Sequence, residues 1–165
     1  MSGIETQMVY HWDSCIYLAW LMRETCHGED CSEGIRESLK NNNLGRNTII
    51  TSTLVFTEVL AAKMQADDEV LFRRSFSKKT HIAYDVDVAI ALKAREFREK
   101  LASDLSGKKI STPDAIHLAT AAIYKVTEFW TLDSKLLCLN GDQRIDGLII
   151  QKPHGSGQRE LFPSK

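Results

Sequence analysis

Proline is scarce in this chain, with three residues among 165, so helices and strands run with few forced breaks and a proline-rich, low-complexity character is excluded. Long hydrophobic runs are missing too: none approaches the roughly 20 residues needed to cross a bilayer, so no membrane association is expected. The opening Met1-Ser2-Gly3-Ile4-Glu5 lacks a basic stretch followed by an apolar one, so no secretory signal is read and a cytoplasmic location is expected. Neither sign of charge dominates: 21 Lys+Arg stand against 22 Asp+Glu, net −1. That excludes a global basic field of the kind that grips nucleic acid tightly, and leaves room for a local patch. The four cysteines, Cys15, Cys26, Cys31 and Cys138, have no framework spacing and are expected as reduced thiols. Cys26, His27 and Cys31 lack an evident fourth ligand, which argues against structural zinc. There is no Gly-x-Ser-x-Gly elbow and no glycine-rich phosphate loop, so elbow-type hydrolysis and P-loop nucleotide hydrolysis are excluded.

What is present is the composition of one soluble globular domain, 43% hydrophobic and 26% charged. Strand patterns at residues 8–12, 48–51, 81–84, 128–132 and 148–150 alternate with helical patterns at 15–26, 33–43, 54–65, 67–79, about 87–105, 112–124 and 133–139. Strands alternating with helices predict a three-layer α/β/α fold with a mainly parallel central sheet. The segment 27–34 reads as an acidic loop. Thr112, followed by Pro113, reads as the cap of the helix that carries Asp114. Residues 1–151 form the expected domain, and 152–165, rich in Gly, Pro and polar groups, an expected loose tail.

Four carboxylates stand where strands end and helices begin: Asp13, Glu58, Asp114 and Asp133. In open α/β sheets ligands bind beyond the carboxyl ends of the strands, so these acids can converge on one edge although they are far apart in sequence. Converging carboxylates repel unless a cation compensates. A hard ion such as Mg²⁺ or Mn²⁺ suits an all-oxygen donor set, and metal with carboxylates suits phosphodiester hydrolysis. Each acid also has a plainer reading. Asp114 could complement a helix dipole, Asp13 could be a turn or cap residue, and Asp133 could cap the helix behind it. Glu58 interrupts the apolar run Leu54-Val55-Phe56-Thr57-Glu58-Val59-Leu60, and a half-buried acid there calls for a partner. His117, one turn after Asp114, could contact the site or pack as a structural histidine. Lys108 and Lys109 could hold substrate phosphate or lie in a solvated loop.

The joint pattern resembles the PIN domain, and most closely the VapC-like ribonucleases of toxin–antitoxin pairs. The residues that carry the resemblance are Asp13-Ser14 after a strand, Thr57-Glu58-Val59-Leu60, Pro113-Asp114-Ala115-Ile116-His117-Leu118-Ala119-Thr120-Ala121, and Thr131-Leu132-Asp133-Ser134. They fall in the family's order across residues 8–150, and the Pro113–Ala121 piece is the specific one. The resemblance implies a metal-dependent endoribonuclease with Asp13, Glu58, Asp114 and Asp133 as catalytic metal ligands for Mg²⁺ or Mn²⁺. Ser14 and Thr131 take positions that support the acids. It further implies an RNA substrate, an antitoxin protein partner and a homodimer. The alternative is a non-catalytic PIN-like binding or scaffold module. A phosphotransfer receiver or aspartyl-phosphate phosphatase on a similar sheet is disfavoured, because Cys15 stands where the phosphatase pattern wants a second acid.

Overall fold

The computed structural model describes residues 7–23, 29–102 and 109–155. In chain order the elements are β1 (Met8–Trp12), α1 (Ser14–Leu21), α2 (Glu29–Asn43), β2 (Asn47–Ser52), α3 (Leu54–Leu60), α4 (Ala66–Ser75), β3 (His81–Tyr84), α5 (Val88–Ala102), α6 (Thr112–Ile123), β4 (Glu128–Trp130), α7 (Ser134–Leu137) and β5 (Ile150–Gln151). The strands form one sheet in the order β3-β2-β1-β4-β5. Every pairing is parallel, with Tyr10 opposite both Ile49 and Glu128.

This order has one switch point. The chain builds outward from β1 through β2 to β3, then returns to β1's other side with β4. A crevice opens beyond the strand ends where the winding reverses. Asp13 and Thr131 directly follow the two strands that flank it.

Alternation along the strands divides the core into two layers. Trp12 and Trp130 point to one face, where they pack with Ile16, Tyr17, Val55, Val59 and Phe72 from α1, α3 and α4. Phe129 and Ile150 point to the other, against Ile90, Ala94, Phe97, Ala115 and Leu118 of α5 and α6. The expected α/β/α layering and parallel sheet are therefore present. No helix of the described residues is long and apolar enough to cross a membrane.

Several boundaries differ from expectation. α1 stops at Leu21, where Met22 closes on Leu18 and Arg23 takes a positive φ of 51°. α2 begins at Glu29, so the acidic stretch read as a loop is helical from that residue on. α3 is only seven residues long, and a fresh helix starts at Ala66 with Asp67, Asp68 and Glu69 in its first turn and Arg73 and Arg74 in its last. That arrangement complements the helix dipole at both ends. The cap of α6 is Ser111, not Thr112. The register follows from a reciprocal pair: Ser111 Oγ accepts from Asp114 N, while the Asp114 carboxylate reaches back to Ser111 N. Thr53, expected to cap α3, makes no side-chain cap bond.

Beyond β5 the chain stays packed through Gly155: Pro153 is buried, and His154 Nε2 lies 2.9 Å from Oε2 of the buried Glu128. It crosses α2 at Gly34, where a Cβ would lie 2.5 Å from the His154 nitrogen. Only glycine permits that approach.

Candidate active site

Asp13 is 5% exposed and caps α1. Its Oδ1 accepts from Ser14 N at 2.8 Å, with Ser14 Oγ at 3.5 Å. Its Oδ2 accepts from Thr131 Oγ1 at 2.7 Å and from Cys15 Sγ at 3.3 Å. Thr131 thereby bridges the switch point. The same hydroxyl accepts from Asp133 N at 3.0 Å, so one buried threonine orients both the Asp13 carboxylate and the turn that carries Asp133. Asp133 in turn caps α7 by accepting from Lys135 N at 2.8 Å.

The second group lies on α3 and α6. Glu58 Oε2 is 2.7 Å from Nε2 of His117, whose ring is fully buried. A carboxylate only accepts, so Nε2 donates; in the neutral ring Nδ1 then accepts from Ser52 Oγ at 3.3 Å. That tautomer follows from the bonding network. Asp114 stands one turn before His117, at the third position of α6, with Oδ2 accepting from Ser111 Oγ at 2.6 Å.

Three of the four acids thus sit at helix N-termini, where the backbone partial charge favours an anion, and the fourth is held by a histidine. The residues expected to matter fall into two hydrogen-bonded sets. Asp13, Ser14, Thr131 and the Asp133 backbone form one; Glu58 and His117, with Asp114 a turn away, form the other. No hydrogen bond joins the sets. Among the described residues, no three His, Cys, Asp or Glu side chains stand close enough together to form a ready metal cluster. Glu58 Oε1, Asp114 Oδ1 and Asp133 Oδ2 each have no protein donor among the described residues. The donor set is all oxygen, which suits a hard divalent cation.

Two supporting residues were not singled out in the sequence. Ser52 ends β2 and completes the Glu58–His117 relay. Cys15 touches Asp13 and accepts from Leu132 N at 3.2 Å. Burial and then the Asp13 charge push its thiol pKa well up, so it stays protonated and serves as a neutral contact. A cysteine or serine beside an acid carries no such signal in sequence, because its partner is over a hundred residues away in one case and on another strand in the other. His11 adds a third ring: it is buried, stacked on Phe129 at 4.7 Å and edge-on to His117 at 5.3 Å. Burial holds its pKa well below the usual imidazole range. Lys109 is exposed just ahead of α6, while Lys108 lies outside the described residues.

No curated protein is significantly similar to the chain. Two solved structures share its fold. VapBC2 from Rickettsia felis, bound to a DNA fragment from its promoter, aligns with a TM-score of 0.62 at 17% identity over 87% of this chain and 98% of that one. A toxin–antitoxin complex from Klebsiella pneumoniae aligns with a TM-score of 0.56 at 20% identity over 88% and 98%. At such identities the likeness is one of fold. The sequence model of the PIN domain matches residues 12–139, from the last residue of β1 to just past α7. That stretch takes in all four acids and most of the chain, and the chain belongs to the PIN-domain family.

Proposed function

We propose that this chain is a divalent-metal-dependent endoribonuclease that hydrolyses RNA phosphodiesters at the carboxyl edge of its sheet. The observation that carries the reading is the placing of Asp13, Glu58, Asp114 and Asp133 around one switch point, three of them at helix N-termini. The free oxygens of Glu58, Asp114 and Asp133 support Mg²⁺ or Mn²⁺ as the ion they would share with Asp13. When bound, such an ion supplies Lewis-acid charge for the phosphate and lowers the pKa of water. The chain's own residues do the positioning. Thr131 and the Ser14 amide fix Asp13; His117, steadied by Ser52, fixes Glu58; Ser111 fixes Asp114. Lys109, and Lys108 beside it in sequence, would meet substrate phosphate at the start of α6.

A place as the toxin of a type II toxin–antitoxin pair, silenced by an antitoxin protein, is supported by the two similar structures, both toxin–antitoxin complexes. A homodimer is supported by an apolar surface on the outside of α5 and α6. Val86, Val88, Leu92, Ile123 and Tyr124 are all exposed there, Val88 by 74%. Such patches mark contact surfaces.

Asp114→Asn tests the reading. RNA cleavage in Mg²⁺ or Mn²⁺ is expected to vanish while the circular dichroism spectrum is kept. Cleavage at the parent rate would sink the assignment. One observation favours a second reading, a PIN-domain binding module without catalysis: the two hydrogen-bonded sets do not bring three acids together in the described residues. Calorimetry with Mn²⁺ separates the two, since a pure scaffold has no reason to bind the ion.

A further inference from the structure

The face of the sheet opposite α5 and α6 carries a second concavity, a cleft of about 220 Å³ between α2, β1 and the segment after β5. Tyr10 and Trp130 form its aromatic wall, with ring centroids 4.4 Å apart. Trp130 is fixed in place: its Nε1 donates to Glu128 Oε2 at 2.8 Å, and the same oxygen meets His154 Nε2. Gly34 lets the His154 backbone close down on α2 and complete that side.

The polar lining is mostly acceptor. Asn47 lines the cleft and is 4% exposed. Its Nδ2 donates to Ser38 O at 3.1 Å and lies 3.3 Å from Ser38 Oγ. Its Oδ1 is buried and has no donor among the described residues. An orphaned buried acceptor is costly, and an N–H from a ligand would relieve it. Glu37 adds a carboxylate beside it, and Arg46 lies at the lining with no ion-pair or side-chain hydrogen-bond partner among the described residues.

We propose that this cleft holds one unpaired nucleobase of the RNA strand, favouring the amine-bearing bases adenine, cytosine and guanine over uracil. Tyr10 offers the flat face, Asn47 Oδ1 and Glu37 take the base N–H groups, and Arg46 takes the adjoining phosphate. Unpaired bases are read in this way, on aromatic side chains and by their hydrogen-bonding edges. Tyr10 lies three residues before Asp13 on one strand, a rise of about 10 Å. The base held there therefore belongs to a nucleotide flanking the one at the acidic edge. The inference rests on the ribonuclease reading for its ligand and sharpens that reading by assigning a specificity subsite.

The test uses the full chain with a chelator present, so that binding is read apart from cleavage. AMP, CMP, GMP and UMP are titrated in turn while the side-chain amide resonance of Asn47 is followed. Saturable shifts at Asn47 are expected, with UMP weaker by about tenfold, as for a site built to accept hydrogen bonds the ligand lacks. Arg46→Ala, on the exposed surface, should weaken all four alike by about tenfold. Glu37→Gln, which adds a donor, should narrow the gap to UMP and relax the base preference beside the cut in RNA. Absence of any shift at Asn47 overturns the proposal. So does mononucleotide binding with no change of cleavage preference in Glu37→Gln, which would mean a free nucleotide is the occupant. Loss of cleavage in every preparation with binding at Asn47 intact would instead refute the nuclease reading and leave the cleft a nucleotide site.

Discussion

Asp13 and Glu58 belong to the same edge of the sheet, yet they are held in opposite ways. Asp13 is 5% exposed, and both its oxygens accept bonds, one from the backbone and the other from Thr131 across the switch point. The Glu58 side chain is 26% exposed and has a single bond, to His117. The difference follows from the elements that carry them. A residue just past a parallel strand is located by the sheet ladder, whereas one inside a short helix such as α3 depends on a side chain from a neighbouring helix. The Asp13 half is thus set by the fold itself, and the Glu58 half by one relay, Ser52 to His117 to Glu58.

Thr131→Val attacks the better-held half and should have the largest effect. The isosteric change removes the donor to Asp13 and the acceptor for Asp133 N together, at a cost of about 3 kcal/mol for two buried bonds. Chemical denaturation measures it; a loss under half a kilocalorie would mean the bridge does not hold the switch point. His117→Gln attacks the other half. The fold should survive, while Mn²⁺ affinity and cleavage fall about 10- to 100-fold, the usual result of releasing a ligand's orienting partner. An unchanged calorimetric trace would show that Glu58 needs no support.

A buried histidine with no carboxylate sharpens the contrast. His81 bonds only the Tyr17 hydroxyl, at 2.8 Å. Burial, with a smaller push from the Lys78 charge, lowers its pKa from 6.5 to about 3. The unfolded chain therefore binds this proton more readily than the folded one. The stabilising contribution is whole above pH 6.5 and is lost as pH falls towards 3, at up to about 1.4 kcal/mol per pH unit. Denaturation curves at pH 7 and pH 5, compared with His81→Gln, isolate it: the variant should lose less stability on acidification, and parallel losses would overturn the assignment. Ser52→Ala should have the smallest effect, about 1 kcal/mol, since it removes only the far end of the relay.

Much of the fold could be read directly. The β-branched run of β2, the Ser111-Thr112-Pro113-Asp114 start of α6 and the alternation of strands with helices each have a local physical cause, and each appears in the structure. The errors also have local causes. α1 and α3 end early because backbone closure at Met22 and Ala62 stops helices whose apolar pattern would have allowed more. Placing the α6 cap at Thr112 missed that Asp114 reaches back to Ser111 and sets the register. At the site, the candidate acids were visible as acids near strand ends, but their supports were less so. Cys15 and Ser52 have no chemical signature, and their partners are assigned by strand order alone.

The order of elements, the parallel sheet and the acids at strand and helix ends were determined by the sequence, because hydrophobic period, turn chemistry and capping act over a few residues. Which carboxylates are buried and bonded, and by whom, was decided only when β4 returned to the side of β1. That return put Thr131 against Asp13, 118 residues away, while helix packing brought His117 to Glu58. Contacts of that separation depend on where whole elements dock, and no local preference encodes it.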